Sequence, residues 1–322
     1  MQTVYVAGGA GFIGSNLCAK LLQDGYEVIC IDNLLTSSKS TIESLLSNQK
    51  FHFLQKDVIK LTVSDVTDLP KPDYIFHLAS PASPNAKSER SYIAYPVETL
   101  LVNTLGTYNL LQIANEFHAR VLFASTSEVY GDPSMSPQTE EYWGNVNPNG
   151  VRSCYDEAKR CGEAMVMSFV RKFDTDARIV RIFNTYGPNM QEDDGRVVSN
   201  FILQALKNEP LTVYGKGDQT RSFCYVTDLI EGLCSYMFAE GLQGEVINMG
   251  NPIEKKILEF ATIVKELTGT SSEIVFEDLP EDDPKQRKPD ISKARRLLGW
   301  EPKVALDEGL KKTIEYFKKG LF

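Results

Sequence analysis

The sequence predicts an α/β fold, a doubly wound parallel sheet with a smaller, interleaved C-terminal domain. Short apolar segments typical of strands alternate with helical patterns along the first half of the chain. The first of these segments runs directly into a glycine-rich turn and a helix-like segment. With 322 residues, 42% of them hydrophobic, the chain can also bury a substantial core.

The glycine-rich turn directly follows the first predicted strand, residues 3–7. Gly9, Gly11 and Gly14 have the spacing G-x-G-x-x-G, and Gly8 replaces Gly9 in a variant of that pattern. Such a turn lets backbone amides at a helix N-terminus approach a pyrophosphate, so it predicts a dinucleotide site. A purely structural turn is the weaker interpretation, because strand, turn, helix and a distal acid are all present. The residues that we assign to this site are Gly8, Gly11, Phe12, Ile13 and Gly14.

The second predicted strand, residues 27–31, ends at Asp32. This acid lies about 20 residues beyond the glycine turn, where a carboxylate is expected to bind the adenosine ribose hydroxyls. Asn33 and two leucines follow it, and no adjacent arginine is available for a 2′-phosphate. The sequence therefore favours NAD over NADP.

Further strands and helices complete the sheet domain and suggest where it is interrupted. After residue 183 glycine and charged residues break the alternation, and a strand over residues 246–248 resumes it. We therefore expect a dinucleotide domain of residues 1–183 and 223–249, and a substrate domain of residues 184–222 and 250–322. The remaining predicted elements are strands over 51–54, 74–79, 120–124 and 177–183, and a helix over 97–117.

Composition excludes several classes of protein. The net charge of −9 disfavours a nucleic-acid partner, because phosphate contacts need a basic surface. The six cysteines form no CxxC pair and are expected to be reduced thiols, mostly in the core. No apolar run reaches transmembrane length, and the first strand leaves no room for a signal peptide. We expect a cytoplasmic enzyme with no membrane partner and no metal.

Tyr155 and Lys159 lie four residues apart in a predicted helix and therefore share one face. An ammonium beside a phenol favours the phenolate, so Tyr155 is a candidate base that removes a hydroxyl proton during hydride transfer. By itself this spacing is common on solvated helix faces. The dinucleotide site is what favours the catalytic interpretation.

With these pieces together, the chain resembles the extended short-chain dehydrogenase/reductase family along nearly its whole length. That family comprises nucleotide-sugar epimerases, dehydratases and decarboxylases on a Rossmann sheet. The resemblance is greatest to the branch that decarboxylates UDP-glucuronate. The motifs that carry it are residues 124–132, 142–148, 194–201, 219–223 and 282–290.

The resemblance implies a triad of Thr126, Tyr155 and Lys159. Thr126 would bind the sugar's C4 oxygen, Tyr155 would remove its proton, and Lys159 would hold the phenolate and the nicotinamide ribose. The implied reaction oxidises C4, loses CO2 from the resulting β-keto acid, and reduces C4 again. UDP-glucuronate would thus become UDP-xylose without net redox change.

Ser127 and Glu128, which follow the threonine, complete the implied catalytic set. In the related 4,6-dehydratases the threonine is followed by aspartate and glutamate, and the aspartate protonates the departing C6 hydroxyl. Ser127 does not readily act as that acid, which disfavours dehydration. Glu128 is a candidate for managing the C5 proton, or alternatively a polar structural group at the strand end.

The resemblance also assigns residues to the substrate and to the rest of the cofactor. It places Asn184 by the diphosphate, Tyr214 and Gln219 near the nucleotide, and Arg287 at the substrate end, and bidentate geometry suits the arginines to phosphate. The full substrate set is Asn184, Arg196, Tyr214, Gln219, Arg221 and Arg287. The further cofactor set is Asp32, Asn33, Asp57, Val58, Leu78, Ala79, Ser80, Tyr155, Lys159 and Thr185.

Two features depart from the decarboxylase pattern. The loop over residues 81–92 is extended around 85–91, and Leu101 stands where animal members carry lysine. These departures leave open two alternatives: the substrate is a modified uronic acid, or the reaction stops at the 4-keto stage. A 4,6-dehydratase or 4-epimerase on the same triad is the alternative, and a non-catalytic NAD-binding scaffold is a remote one. The family also implies a homodimer formed by the helices over 97–117 and 155–173.

Overall fold

The computed structural model describes residues 1–278 and 286–321 of the chain. Within these residues, the centre is a seven-stranded sheet, and three small sheets lie in the C-terminal half. The strands in chain order are β1 (Thr3–Ala7), β2 (Glu27–Ile31), β3 (Phe51–Leu54), β4 (Tyr74–His77), β5 (Arg120–Thr126), β6 (Ala177–Ile182), β7 (Thr185–Tyr186), β8 (Leu211–Tyr214), β9 (Thr220–Ser222), β10 (Cys224–Tyr225), β11 (Val246–Met249), β12 (Glu254–Lys256), β13 (Ile274–Glu277) and β14 (Gln286–Arg287).

The central sheet is parallel throughout, with the order β11-β6-β5-β4-β1-β2-β3. Both faces are covered, so its strands are apolar on both sides. In β1, for example, Val4 and Val6 belong to one core layer, and Tyr5 and Ala7 to the other. The doubly wound α/β fold predicted from the sequence is confirmed.

Nine α-helices connect and cover the strands within the described residues. They are α1 (Phe12–Gln23), α2 (Pro96–Leu101), α3 (Thr107–Phe117), α4 (Ser153–Phe173), α5 (Val197–Leu206), α6 (Val226–Phe238), α7 (Ile257–Thr268), α8 (Ser292–Leu298) and α9 (Leu306–Leu321). None of the helices described is both long and apolar enough to cross a membrane.

The predicted helix over residues 97–117 is two helices joined by a π-helical turn at Val102–Gly106. Asn103 lies in this turn, fully buried, and its side-chain amide donates to Ser80 Oγ at 2.8 Å and to the Thr99 carbonyl at 2.9 Å. The irregular turn thus supports the segment that follows β4. π-turns often occur at functional sites for this kind of reason.

Several predicted strand ends differ by one or two residues. The segment 74–79 is a strand only to His77, although the Leu78 amide still donates to the Ala7 carbonyl at 2.8 Å. The segment 120–124 continues as β5 to Thr126, which pairs with Ile182 of β6. This extension brings Thr126 to the carboxyl edge of the sheet, where ligands bind in open α/β folds.

The small sheets bring distant segments of the C-terminal half together. β10 pairs with β7, β13 with β8, and β9 lies between β12 and β14. The pairing of β14 with β9 sets Arg287 beside Arg221 in register. The strand β11 then returns to the edge of the central sheet next to β6.

Candidate active site

A cavity of about 650 Å³ opens along the carboxyl edge of the central sheet. It is walled on one side by the glycine-rich turn and α4, and on the other by segments of the C-terminal half. The sequence-predicted residues that line it are Gly8, Gly11, Phe12, Ile13, Gly14, Leu78, Ser80, Thr126, Ser127, Glu128, Tyr155, Lys159, Asn184, Thr185, Arg196, Tyr214, Gln219, Arg221 and Arg287.

The glycine-rich turn has the shape that a pyrophosphate needs. A Cβ on Gly8, where φ is +80°, would lie 2.6 Å from the Ala79 amide nitrogen, and one on Gly14 would lie 2.1 Å from the Gly8 carbonyl oxygen. A Cβ on Gly11 would meet only that same oxygen, at 3.3 Å. Gly11 caps α1 without any side-chain bond, so the first amides of the helix remain available. The turn therefore fits a dinucleotide diphosphate at a helix N-terminus.

Asp32 follows β2 and holds the loops beside this turn. Its carboxylate accepts the amides of Ala10 at 3.0 Å and Leu34 at 2.9 Å, and the Ser37 hydroxyl at 2.7 Å. Two carboxylate oxygens have about four acceptor positions, so capacity remains for a ribose hydroxyl. The exposed Asn33 accepts the Leu35 amide at 3.0 Å.

Asp32, Asn33, Asp57, Val58 and Ala79 are not among the residues lining the cavity. Asp57 caps a 3₁₀ turn by accepting the Ile59 amide at 2.9 Å, and Val58 is buried in the core. Ala79 packs its backbone against Gly8. The side chains of Asp57, Val58 and Ala79 thus lie behind the wall of the cavity rather than line it.

Tyr155, Lys159 and Thr126 converge at the centre of the cavity. Tyr155 is in the first turn of α4, and Lys159 lies one turn later with Nζ 5.8 Å from the Tyr155 ring centre. Both are buried, and Lys159 Nζ donates to the Ala124 carbonyl at 2.7 Å. The tertiary structure thus brings the predicted triad together.

Burial sets the protonation of these two groups. Burial raises the pKa of Tyr155 to about 12, although the Thr126 hydroxyl and the charge of Arg196 lower it in part. Burial also lowers the pKa of Lys159 to about 7. In the protein alone, burial thus opposes the ammonium charge of Lys159, and the expectation that this lysine favours the Tyr155 phenolate stays a prediction.

Glu128 lines the cavity and lies between two arginines. Its carboxylate is 2.5 Å from Arg152 Nη2 and 3.1 Å from Arg287 Nη2. Burial opposes ionisation of Glu128, but the charges of Arg287 and Arg152 outweigh it and hold the pKa well below its ordinary value. Glu128 is therefore a carboxylate and not a proton donor.

Arg152 was missed by the sequence reasoning. It is the N-cap of α4, just before Tyr155, and it lines the cavity. Nothing in its local sequence distinguishes it from a solvated arginine, because its partner Glu128 is 24 residues away. Only the packing of α4 against the end of β5 brings the two together.

The remaining predicted substrate residues surround the end of the cavity opposite the glycine turn. Arg196 Nε lies 3.2 Å from the Asp194 carboxylate, and Gln219 donates to the Tyr214 carbonyl at 2.8 Å. Arg221 and Arg287 are adjacent through the β9–β14 pairing. Residues 282–285 of the last motif lie outside the described residues.

The two departures from the decarboxylase pattern have different outcomes. Asn85, Lys87 and Arg90 of the extended loop line the cavity, so this loop does border the site. Leu101 is 39% exposed on α2 and is not among the lining residues. The leucine at position 101 therefore removes no side chain from the cavity.

All six cysteines are free, five of them buried and Cys161 exposed. In the part of the chain that the structure describes, no group of three or more His, Cys, Asp or Glu side chains is placed to hold a metal ion.

The fold and the site define a nucleotide-dependent enzyme of the short-chain dehydrogenase type. The chain belongs to the NAD dependent epimerase/dehydratase family, whose model matches residues 4–250. This confirms the resemblance found in the motifs. It also confirms the cofactor, NAD, that the glycine turn and Asp32 predicted.

Particular members of the family are similar over the whole chain. UDP-glucuronic acid decarboxylase 1 of Xenopus tropicalis is 50% identical over 320 residues, which are 99% of this chain and 73% of that protein. UDP-glucuronic acid decarboxylase 6 of Arabidopsis thaliana is 52% identical over 319 residues, 99% of this chain and 89% of that protein.

Solved structures of epimerases have the same fold. UDP-glucose 4-epimerase of Thermotoga maritima, solved with UDP-glucose, has a TM-score of 0.89 and 30% identity, covering all of both chains. UDP-glucuronic acid 4-epimerase of Bacillus cereus, in complex with UDP-glucuronic acid and NAD, has a TM-score of 0.88 and 30% identity, also with full coverage.

Proposed function

We propose that this chain is an NAD-dependent decarboxylase that converts UDP-glucuronate to UDP-xylose. The observation that carries the proposal is Glu128, an ionised carboxylate held by Arg152 and Arg287 beside the triad. With serine at position 127, the residue that follows Thr126 is not an acid that could protonate a departing hydroxyl. Its arginines suit an acidic sugar. The two decarboxylases of about 50% identity support the same reaction.

Tyr155 is the proposed base and Thr126 the group that orients the reacting hydroxyl. Tyr155 removes the proton from the C4 hydroxyl while the C4 hydride leaves the sugar. The glycine turn would hold NAD, which would supply the acceptor and donor for this hydride. Lys159, which donates to the Ala124 carbonyl, holds the base from one side and offers its remaining protons to the ribose.

Oxidation at C4 prepares the loss of carbon dioxide. The C4 ketone is β to the C6 carboxylate, so the C5–C6 bond breaks and its electron pair enters an enolate that ends at the C4 oxygen. A proton then adds to C5 before hydride returns to C4 and Tyr155 gives its proton back to the C4 oxygen. Because Glu128 is ionised, we assign it the orientation of a proton-bearing water and not direct donation.

The other predicted residues bind the rest of the substrate. Arg196 and Asn184 are proposed to contact the diphosphate, and Tyr214 and Gln219 the nucleotide. Arg221 and Arg287, adjacent across two strands, are proposed to neutralise the acidic sugar end. Ser127 is proposed to accept or donate a hydrogen bond at the sugar.

The cofactor half and the substrate half are proposed to follow the segments expected from the sequence, 1–183 with 223–249 and 184–222 with 250–322. The central sheet contains strands of the first set only, and the small sheets draw mainly on the second. Asp57, Val58, Leu78, Ala79 and Ser80 are proposed to shape the adenine and ribose pocket, and Thr185 to face the nicotinamide.

We also propose a homodimer in the cytoplasm. Apolar side chains stay exposed along α2, the π-helical turn after it and the start of α3, and a second copy would cover them. These side chains are Val97, Leu100, Leu101, Leu105 and Tyr108. All six cysteines are free of disulfide bonds, which favours a reducing compartment. Cell fractionation tests the compartment. A marker protein that contains disulfide bonds serves as the control.

The function is tested by incubating the purified protein with UDP-glucuronate and NAD and identifying products by mass spectrometry and proton NMR. We expect CO2 and UDP-xylose in equal amounts without net NADH. UDP-galacturonate as the product would identify a 4-epimerase. Recovery of a 4-keto sugar that accumulates with NADH would show that C4 is not reduced again. No turnover of any UDP-, TDP- or GDP-sugar would support the non-catalytic scaffold.

A further inference from the structure

The ring of Tyr92 lies directly against the ring of Tyr155. The two ring centres are 4.9 Å apart and the planes differ by 9°, so the phenols are stacked face to face. Tyr92 is 1% exposed and lines the cavity. Together with Cys154 the two tyrosines form a small apolar cluster separate from the main core. Every movement of the Tyr155 ring in that direction is therefore opposed by Tyr92.

The backbone of Tyr92 is held on both sides. Its amide donates to the Ser83 carbonyl at 3.1 Å, and its own carbonyl accepts the Cys154 thiol at 3.5 Å. Cys154 precedes Tyr155 on α4, so the same short contact ties the loop to the helix that carries the base. These bonds place Tyr92 independently of its ring.

The loop that presents Tyr92 is also tied to the substrate side of the cavity. Ser88 Oγ donates to the Asp193 carboxylate at 3.0 Å, and Ser83 Oγ donates to the Asp194 carbonyl. Asn85 packs on Gly195, where a Cβ would lie only 2.2 Å from the Asn85 Cβ. These contacts join the loop to the segment that carries Arg196.

The hydroxyl of Tyr92 contributes little to this arrangement. It is buried and has no hydrogen-bond partner among the described residues. Burial raises the pKa of Tyr92 far above its ordinary value, so the side chain is neutral at all working pH values. What Tyr92 gives the site is thus its ring and the exclusion of water from one face of Tyr155.

We propose that Tyr92 is a positioning residue for Tyr155, whose stacked ring, presented by the clasped loop of residues 83–92, holds the catalytic phenol in line with the C4 hydroxyl. This inference rests on the proposed role of Tyr155 as the base. Stacking restricts the phenol to one plane, and a misplacement near 1 Å is enough to slow a reaction about 100-fold. The loop contacts tie the position of Tyr92 to the segment that carries Arg196.

The test compares Tyr92→Ala, Tyr92→Phe and Ser88→Ala with the unchanged protein. Tyr92→Ala is expected to lower kcat for UDP-glucuronate by about 10–100-fold with KM within about twofold. Tyr92→Phe keeps the stack and is expected to restore kcat to within about threefold. Ser88→Ala, which loosens the loop without touching either ring, is expected to lower kcat in the same direction by a smaller factor.

Tyr26→Leu is the matched control. Tyr26 and Phe238 are stacked in the same manner, with ring centres 5.0 Å apart and planes 6° apart, and neither lines the cavity. Tyr26→Leu is expected to lower the melting temperature and to leave kcat unchanged. A Tyr92→Ala protein that melts no lower than this control then shows that its loss of kcat is not a loss of folding.

A second measurement does not depend on turnover. In protein labelled with 3-fluorotyrosine, the ¹⁹F resonance of residue 155, assigned with Tyr155→Phe, reports the ionisation of that phenol. In the unchanged protein, burial raises the pKa of Tyr155. Because Tyr92→Ala admits water beside the phenol, the midpoint of the Tyr155 titration is expected to fall in this variant. The Tyr92→Phe midpoint is expected to stay in place.

The outcomes separate this inference from the proposed function. If the unchanged protein does not consume UDP-glucuronate, the proposed function fails, while the ¹⁹F titration still tests the contact. If the unchanged protein is active and Tyr92→Ala leaves both kcat and the midpoint unaltered, Tyr92 does not position Tyr155. If Tyr92→Phe is as slow as Tyr92→Ala, the hydroxyl of Tyr92 acts in substrate binding and the positioning role is overturned. If Tyr92→Ala changes only KM, the same conclusion follows.

Discussion

Lys159 is a buried lysine whose charge the surroundings oppose. Its ammonium donates to the Ala124 carbonyl, and burial lowers its pKa to about 7. An unfolded chain keeps this group protonated up to its ordinary pKa near 10.5. At or below pH 7 both states carry the charge, and the folded state bears the full cost of burying it. Between pH 7 and about 10.5 the unfolded chain binds the extra proton, so stability rises with pH.

We therefore expect Lys159→Met to stabilise the protein while abolishing activity. At about pH 6 the cofactor-free variant should gain about 2 kcal/mol, less than the full linkage value because the bond to Ala124 is lost. The gain should shrink toward about pH 9. Urea unfolding of both proteins across this range is the measurement. A gain that grows with pH would show instead that the folded protein raises the pKa of Lys159 and stabilises its charge.

At the scale of elements, the turn between β1 and α1 combines a packing role and a binding role in different glycines. A Cβ at Gly14 would lie 2.1 Å from the Gly8 carbonyl oxygen, whereas one at Gly11 has only a contact at 3.3 Å. Gly11→Ala should therefore fold normally and lose NAD affinity by about 100-fold, since its methyl group occupies the approach of the diphosphate. Calorimetric titration with NAD measures this.

Gly14→Ala is the contrasting variant at the same turn. Alanine ordinarily favours a helix by about 1 kcal/mol over glycine, but the clash with backbone should cost more, about 2–3 kcal/mol net. Thermal unfolding without cofactor distinguishes the two variants. An equal loss of stability in both variants would mean that binding and packing are not assigned to Gly11 and Gly14 separately.

The ion pairs of Glu128 join the end of β5 to the start of α4 and to β14. Removing Glu128 leaves two arginines in the interior, whereas removing Arg287 leaves Glu128 with Arg152. We expect Glu128→Ala to cost about 3–5 kcal/mol and Arg287→Met no more than about 2 kcal/mol. Urea unfolding gives both values, with the neutral isostere Glu128→Gln as control. The reverse order would show that the second arginine does not stabilise the carboxylate.

At the scale of the whole molecule, exposed apolar residues along α2, the π-helical turn and α3 predict self-association. Leu105 and Tyr108 are about two-fifths exposed on this face, although both are large and apolar. Leu105→Glu with Tyr108→Glu should convert a dimer to a monomer that retains its melting temperature to within a few degrees. Mass measured by light scattering after gel filtration tests this.

Ile253→Glu provides the control for this prediction. Ile253 is more exposed than either residue and lies far along the chain, between β11 and β12. The Ile253→Glu variant should keep the mass of a dimer. A monomer in the unchanged protein would contradict the homodimer outright.

The elements themselves were predictable from local patterns. Glycine spacing, the acid after β2 and the apolar strands depend on residues near each other in the chain, and the fold, the family and NAD follow from them. Thr126, Tyr155 and Lys159 could be named for the same reason, since each lies in a short motif. The strand and helix ends differed by one or two residues because pairing with a neighbour, such as Thr126 with Ile182, extends a strand beyond its own pattern.

The protonation and the partners of those residues depended on the tertiary structure. A charge that seemed available in the sequence, that of Lys159, is opposed once the side chain is buried. Arg152 acquires a role only when α4 packs beside Glu128, and Tyr92 only when its loop lies on Tyr155. Sequence motifs therefore determined which chemical groups the protein carries. Burial and contacts between distant segments determined which groups are charged and which hold others in place, because desolvation and Coulomb energies depend on distances that the sequence does not specify.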